Sequence, residues 1–193
     1  MSSTSHAGTD PVRTFARQAQ RTLLVGEWFD ALRLGHGSTV ADLGCGGGYV
    51  ALRAAERVGA TGTVYAFDRD PEAIELLRRT AALHQLHHLH AAVADVAALT
   101  ALPAPVEAAL LTMVLHHADD PGAFLAHLRG LLADDARLLV AEFAPDGPGL
   151  VGPGLASRMG PAHLNELATT AGFDMDWVER QTAEHWFGVL TPR

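Results

Sequence analysis

The chain has 193 residues, 48% hydrophobic and 19% charged, a length and balance that suit one folded domain with a full-sized core. A net charge of −8 at pH 7 argues against a general nucleic-acid surface, and the lone Cys45 excludes an internal disulfide framework and suits a reducing compartment. No apolar run reaches the ~20 residues that cross a bilayer, so no membrane association is expected. Residues 1–10 are rich in Ser, Thr and Gly, with no basic stretch leading into an apolar one. They are expected to form a disordered tail, not a signal peptide, ahead of a single domain at 11–193. The expected location is cytoplasmic.

From Pro11 to Leu34 the apolar residues Phe15, Ala19, Leu23 and Leu24, then Trp28, Phe29 and Leu32, recur at helical spacing. This stretch is expected to cap the domain by core packing; a lid over a substrate is the other role open to it. Gly35-His36-Gly37-Ser38 ends it. Val40–Leu43 reads as a buried strand, Gly44–Gly48 as a glycine loop and Tyr49–Val58 as a helix. Glycines here let the backbone turn sharply and a ligand approach closely, and the helix start offers free N–H groups.

A second strand runs over Thr63–Phe67 to Asp68, and a helix opens at Pro71 and continues to Leu83. The third strand falls within His87–Ala94 and the fourth over Glu107–Met113. A helix from Pro121 buries Phe124, Leu125, Leu128 and Leu132, and the fifth strand spans Arg137–Phe143. A Gly/Pro-rich loop at 144–160 leads to a helix at Pro161–Ala171, stopped by Gly172. Phe173–Arg180 and His185–Leu190 are close enough to form a hairpin. Five strands alternating with helices predict an α/β, Rossmann-like, doubly wound sheet, with ligands at the carboxyl ends of its strands.

Three acids mark those ends: Asp42 before the glycine loop, Asp68 after the second strand and Asp95 after the third. A carboxylate in the position of Asp68 can accept both hydroxyls of a ribose. His84, His87, His88 and His90 lie close together, but no Cys or acid completes a ligand set, so no metal site is assigned and the segment reads as a solvated connection. His116 and His117 follow the fourth strand on the ligand edge, where a histidine could take a proton from a hydroxyl. Cys45 suits a tightly packed small side chain better than a nucleophile.

Val40-Ala41-Asp42-Leu43-Gly44-Cys45-Gly46-Gly47-Gly48 resembles the first motif of class I S-adenosylmethionine-dependent methyltransferases. Phe67–Ile74 resembles their second-strand motif and Ala94-Asp95-Val96 their adenine-side motif. Glu107–His117 is similar to the fourth-strand segment of the methyltransferase type 11 branch that includes ubiquinone/menaquinone-biosynthesis enzymes, and Ala171-Gly172-Phe173 to the end of its late helix. The resemblance implies a seven-stranded, mostly parallel sheet with an antiparallel last strand. It places Gly44, Cys45 and Gly46 against the cofactor's methionine end and Asp68 at the ribose, with Gly48, which opens the helix, and Arg69 also among the cofactor-binding residues. Asp95 and Val96 go to the adenine and Thr112 and Met113 to the sulfonium. It also implies that Asp42 organises the loop and reaches the cofactor amino group through water. The chain departs from the family in having Glu107 for a common Asp, Gly47 for a common Thr or Ser, and Asp134-Asp135-Ala136 for Pro-Gly-Gly.

These readings combine into an enzyme that transfers a methyl group from S-adenosylmethionine to a small-molecule acceptor by direct displacement, with His116 or His117 as base for a hydroxyl acceptor. Its partners are a small molecule and no nucleic acid or membrane, with a homodimer admitted. The alternatives are an NAD(P)-binding oxidoreductase, whose Gly-x-Gly-x-x-Gly/Ala pattern fits from Gly46 to Ala51, and a non-catalytic S-adenosylmethionine-binding partner protein.

Overall fold

Thr39–Leu43 forms β1 at the centre of a seven-stranded sheet, as seen in a computed structural model that describes residues 10–193. The other strands are β2 (Thr63–Asp68), β3 (Leu89–Val93), β4 (Ala108–Thr112), β5 (Arg137–Phe143), β6 (Phe173–Arg180) and β7 (His185–Pro192). They lie in the order β3-β2-β1-β4-β5-β7-β6. All neighbouring pairs from β3 to β5 are parallel; β7 runs antiparallel to both β5 and β6. The last strand in the chain is thus the reversed one, and it inserts between β5 and the edge strand β6. The strand order changes direction between β1 and β4, the switch point where an open sheet leaves a crevice at its carboxyl edge.

The central strands are buried on both faces, which explains why β1, β4 and β5 read as continuous apolar runs. One face packs under α2 (Thr22–Ala31), α3 (Tyr49–Val58) and α4 (Pro71–Leu83), with Trp28, Val58 and Leu77 in its core. The other packs under α5 (Pro121–Leu131) and α6 (Pro161–Thr170), with Leu125, Leu164 and Trp186. Proline opens α4, α5 and α6, and Asp70 and Asp120 cap the first two through their side chains. Among the described residues no helix is long and apolar enough to cross a membrane.

Two expectations need correction, and one lies mostly outside the described residues. The helical stretch at 11–34 is two helices, α1 (Pro11–Ala19) and α2, broken at Gln20–Arg21. Apolar periodicity runs through the break, but α2 buries Leu24, Val25, Trp28 and Phe29 while α1 buries no residue fully and turns away onto the glycine loop. The expected tail at 1–10 lies outside the described residues except for Asp10, whose carboxylate accepts the N–H groups of Val12 (3.0 Å) and Arg13 (3.3 Å) at the head of α1. Finally, β4 ends at Thr112. Met113 has a φ of +59°, a left-handed conformation that ends the strand ahead of a 3-10 turn at Leu115–His117.

Candidate functional site

The glycine loop is tied to the end of β2. The N–H groups of Gly44 and Cys45 both donate to the Phe67 carbonyl, at 2.8 and 2.9 Å. The Gly46 N–H donates to Asp68 Oδ2 at 2.7 Å, and Asp68 Oδ1 accepts the Asp70 N–H at 3.0 Å. Gly44, Gly46 and Gly48 have φ of +81°, +52° and +85°, so each holds a conformation that L side chains avoid. A Cβ on Gly44 would meet Val114 Cγ2 at 2.6 Å, and one on Gly48 would meet Leu77 Cδ1 at 2.4 Å. Val114, absent from the sequence candidates, therefore closes one side of the loop.

Helix α1 closes the other. Gln18 Nε2 donates to the Cys45 carbonyl at 2.9 Å, and Gln18 Oε1 accepts the Tyr49 N–H at 3.3 Å, so one amide satisfies the loop and the start of α3 together. A Cβ on Gly47 would lie 2.7 Å from Phe15 Cβ and 2.8 Å from the Pro11 carbonyl. Glycine at 47, where the resembling family commonly carries Thr or Ser, is what lets α1 sit this close. Nothing in the sequence pattern marks Gln18 beyond its helical phase.

The acids play different parts. Asp42 is fully buried, and neither of its oxygens has a hydrogen-bond partner among the described residues. Burial, then the neighbouring Asp68 charge, pushes its carboxyl up to about 7; the backbone N–H of Ala51 acts in the opposite sense. Asp95 is exposed and caps the 3-10 turn at Val96–Ala98 by accepting the Ala97 N–H at 3.0 Å. The Val96 carbonyl accepts from His127 Nε2 at 3.0 Å, and the Val96 N–H makes no hydrogen bond among the described residues. Arg69 is exposed, and Thr112 is buried at the end of β4. Cys45 is buried, and burial, then the Asp42 and Asp68 charges, raises its thiol well above the ordinary value, which leaves it a poor nucleophile.

The histidine pair divides. His116 Nδ1 lies 2.7 Å from Glu142 Oε2, both side chains almost wholly buried, and Glu142 Oε1 accepts the His116 N–H at 3.2 Å. His117 is exposed; its ring is tilted against His116 at 4.0 Å. Partial burial, then the His116 and Arg69 charges, lowers its pKa against the pull of Glu142. Glu142 is the one acid in the apolar strand Arg137–Phe143, and a buried acid needs a partner, a sequence signal that was there to be read. The histidines at 84–90 are dispersed: His88 Nε2 contacts the Ala55 carbonyl at 2.9 Å and His90 stacks on Tyr65.

Beyond β5, Phe143 is a hub. His116 meets its ring edge at 5.7 Å, His185 lies 5.3 Å away, and the guanidinium carbons of Arg21 and Arg158 stand 5.2 and 5.5 Å from its centroid. A Cβ on Gly152 would strike the ring at 2.4 Å, so the 144–160 loop lies directly on it. That loop is clipped down by Arg158, whose Nη1 contacts Glu184 Oε2 at 2.5 Å and the Ala144 carbonyl at 3.0 Å. Burial works to raise the Glu184 carboxyl, but the Arg158 guanidinium and the Leu150 N–H outweigh it and hold the pKa below its ordinary value.

Arranged this way, the carboxyl edge suits a nucleotide-like ligand with a cationic end. The left-handed glycines at 44, 46 and 48 hold the loop tight between β1 and α3, Asp68 keeps lone pairs beyond the two it uses, and among the described residues the Val96 N–H makes no hydrogen bond and the buried Asp42 meets no cationic side chain. Asp42, Gly44, Gly46, Asp68 and Val96 are the residues that would hold it.

The family model described as "Methyltransferase domain" matches residues 34–185. A probable cobalt-precorrin-6B C(15)-methyltransferase (decarboxylating) of Pyrobaculum aerophilum is 45% identical over 51 residues, 26% of each chain. This chain thus spans about a quarter of the curated relatives it matches. Among solved structures, an S-adenosylmethionine-dependent methyltransferase from Aquifex aeolicus superposes with a TM-score of 0.83 at 19% identity, covering 96% of this chain and 100% of that one. Coclaurine N-methyltransferase, bound to N-methylheliamine and SAH, superposes with a TM-score of 0.60 at 17% identity, covering 64% of this chain and 36% of that one. At these identities the two structures speak for the fold alone.

Proposed function

The chain belongs to the methyltransferase domain family and has the class I fold of S-adenosylmethionine-dependent methyltransferases, and from that premise we propose that it methylates a small-molecule acceptor by direct displacement. The observation that carries the reading is Asp42. A buried carboxylate with no partner is costly unless a ligand supplies a donor or a positive charge nearby. The amino group of S-adenosylmethionine, reached through water, is such a charge. Family membership also decides against the nicotinamide alternative.

Bound there, S-adenosylmethionine supplies a methyl group on a positively charged sulfur, open to attack by an acceptor lone pair. The chain's own residues do the rest. Asp68 and the glycine loop orient the ligand; α1 and the 144–160 loop keep water out. His116 is the base we assign for a hydroxyl acceptor. An ionised Glu142 can only accept, so Nδ1 of a neutral ring carries the proton and Nε2 keeps its lone pair for the acceptor. His117, exposed and with no carboxylate braced against it, is the weaker candidate. The likeness of residues 107–117 to quinone-biosynthesis enzymes does not choose the acceptor.

The test is transfer of a labelled methyl group from S-adenosylmethionine to a panel of hydroxyl, amine, thiol and activated-carbon acceptors, alongside calorimetry with S-adenosylhomocysteine. Product with any small acceptor supports the reading. Tight binding without transfer to any of them would leave a cofactor-binding protein, and absence of binding would overturn the reading.

A further inference from the structure

Two donor groups lie against the Phe143 ring, and among the described residues no acceptor meets them. Arg21 enters from the break between α1 and α2, is half-buried, and its guanidinium makes no hydrogen bond or ion pair among the described residues. The acids nearby are committed elsewhere. Glu142 gives both oxygens to His116. Glu184 is held by Arg158 Nη1 and the Leu150 N–H. The second guanidinium at the ring is held by its own partners, since Arg158 also donates to the carbonyls of Ala144, Val151 and Pro153 and so uses four of its five N–H groups.

The second donor is His185. Thr182 Oγ1 accepts the backbone N–H groups of Glu184 (3.1 Å) and His185 (3.0 Å), so its own proton remains for His185 Nδ1, 3.0 Å away. Nδ1 is therefore an acceptor, and the proton of the neutral ring sits on Nε2. Partial burial, then the Arg21 charge, with Arg158 adding to both against the pull of Glu184, lowers the pKa to about 4, which keeps the ring neutral near pH 7. His185 Nε2 is buried and has no partner among the described residues. A guanidinium and an imidazole N–H thus stand around one aromatic ring with nothing to receive their hydrogen bonds.

We infer that Arg21 and His185 form a subsite for anionic oxygens, a carboxylate or a phosphate carried by the acceptor. An arginine fork and a neutral N–H donor are matched to such oxygens. The location fits an acceptor: His116 and His185 both contact the Phe143 ring, which puts the anion beside the proposed base, and the 144–160 loop packs on that ring. The substrate class deepens the methyltransferase reading; anion capture itself does not depend on it.

The experiment uses the full chain, labelled with 15N-histidine, in the presence of S-adenosylhomocysteine, whose affinity is measured in the same samples by calorimetry. Benzoate, phenyl phosphate and neutral benzamide are titrated while the His185 ring nitrogens are followed by NMR. Benzoate or phenyl phosphate should move the Nε2 signal and benzamide should not; which anion acts at lower concentration tells carboxylate from phosphate. Arg21→Gln should raise the half-saturating anion concentration by about tenfold or more, and Arg21→Lys by less, since a point charge remains. Benzamide acting as well as benzoate, no response to either anion, or an unchanged titration in Arg21→Gln would overturn the subsite. S-adenosylhomocysteine binding that persists through such a failure leaves the methyltransferase reading standing, so the two are separable.

Discussion

His116 and Glu142 are 26 residues apart and join the turn after β4 to the end of β5 through an Nδ1–Oε2 contact of 2.7 Å, with side chains only 5% and 1% exposed. The pair sets the tautomer of the one histidine of the 116–117 pair that is braced by a carboxylate. Glu142→Gln keeps the shape and removes the charge. With a hydroxyl acceptor we expect kcat to fall by about 10²-fold, the scale of a well-placed general base. S-adenosylhomocysteine affinity should hold. Equal kcat in mutant and wild type with a hydroxyl acceptor would remove His116 from the mechanism.

Asp42 makes stability depend on pH. Its folded pKa, about 7, lies above the ordinary 3.8, so the native state holds a proton that the unfolded chain releases between those values. Stability from this group therefore falls as pH rises from about 4 to about 7 and is level above. Replacing Asp42 by Asn removes the titration. The unfolding free energy of Asp42→Asn relative to wild type should move in the mutant's favour by roughly 3 kcal/mol between pH 5 and pH 8, read from urea melts at both. A pH-independent difference would show that Asp42 is not titrating in this range.

Asp68 holds the glycine loop and is also the proposed ribose ligand, so its loss has two expected consequences. Asp68→Ala should weaken S-adenosylhomocysteine binding by about 1.5–3 kcal/mol in calorimetry, the cost of a charge-assisted hydrogen bond. It should also speed hydrogen exchange at Gly46 and Asp70, whose N–H groups it accepts. Slower exchange lost without a change in affinity would limit Asp68 to the loop.

Arg158→Ala should free the 144–160 loop. The side chain is wholly buried and pairs with Glu184, and removing one member of a buried pair leaves the other uncompensated. A drop in Tm of about 10 °C is expected, with new proteolytic cleavage confined to 144–160. Glu184→Gln should be milder, since an amide oxygen can still accept from the guanidinium. An unaltered cleavage pattern in Arg158→Ala would mean that the Phe143 contact alone holds the loop.

Much of the frame was legible in the residues. Tyr49–Val58, Arg137–Phe143 and Phe173–Arg180 form elements with the expected bounds, because each is flanked by glycine, aspartate or a turn that stops it. The glycine loop stood out because left-handed backbone and close packing both select glycine. The break at Gln20–Arg21 did not stand out, since apolar spacing continues across it. The roles of Gln18, Val114 and Arg21 were also unreadable as contacts, and the lone acid Glu142 in an apolar strand signalled a partner without saying which. Each depends on a residue distant in the chain, and side-chain periodicity reports which face is buried but not what it meets.

By itself the sequence determined the alternation of strands and helices, the glycine loop between β1 and α3, and the acids at the strand ends. Those are local matters of turn chemistry and hydrophobic period. Only the tertiary structure decided which histidine receives a carboxylate, that α1 seals the loop through Gln18, and that Arg21 and His185 face one ring without an acceptor. The physical reason is that hydrogen bonds and buried charges are satisfied by neighbours in space. The switch between β1 and β4 and the insertion of β7 beside β5 bring together residues the chain keeps far apart.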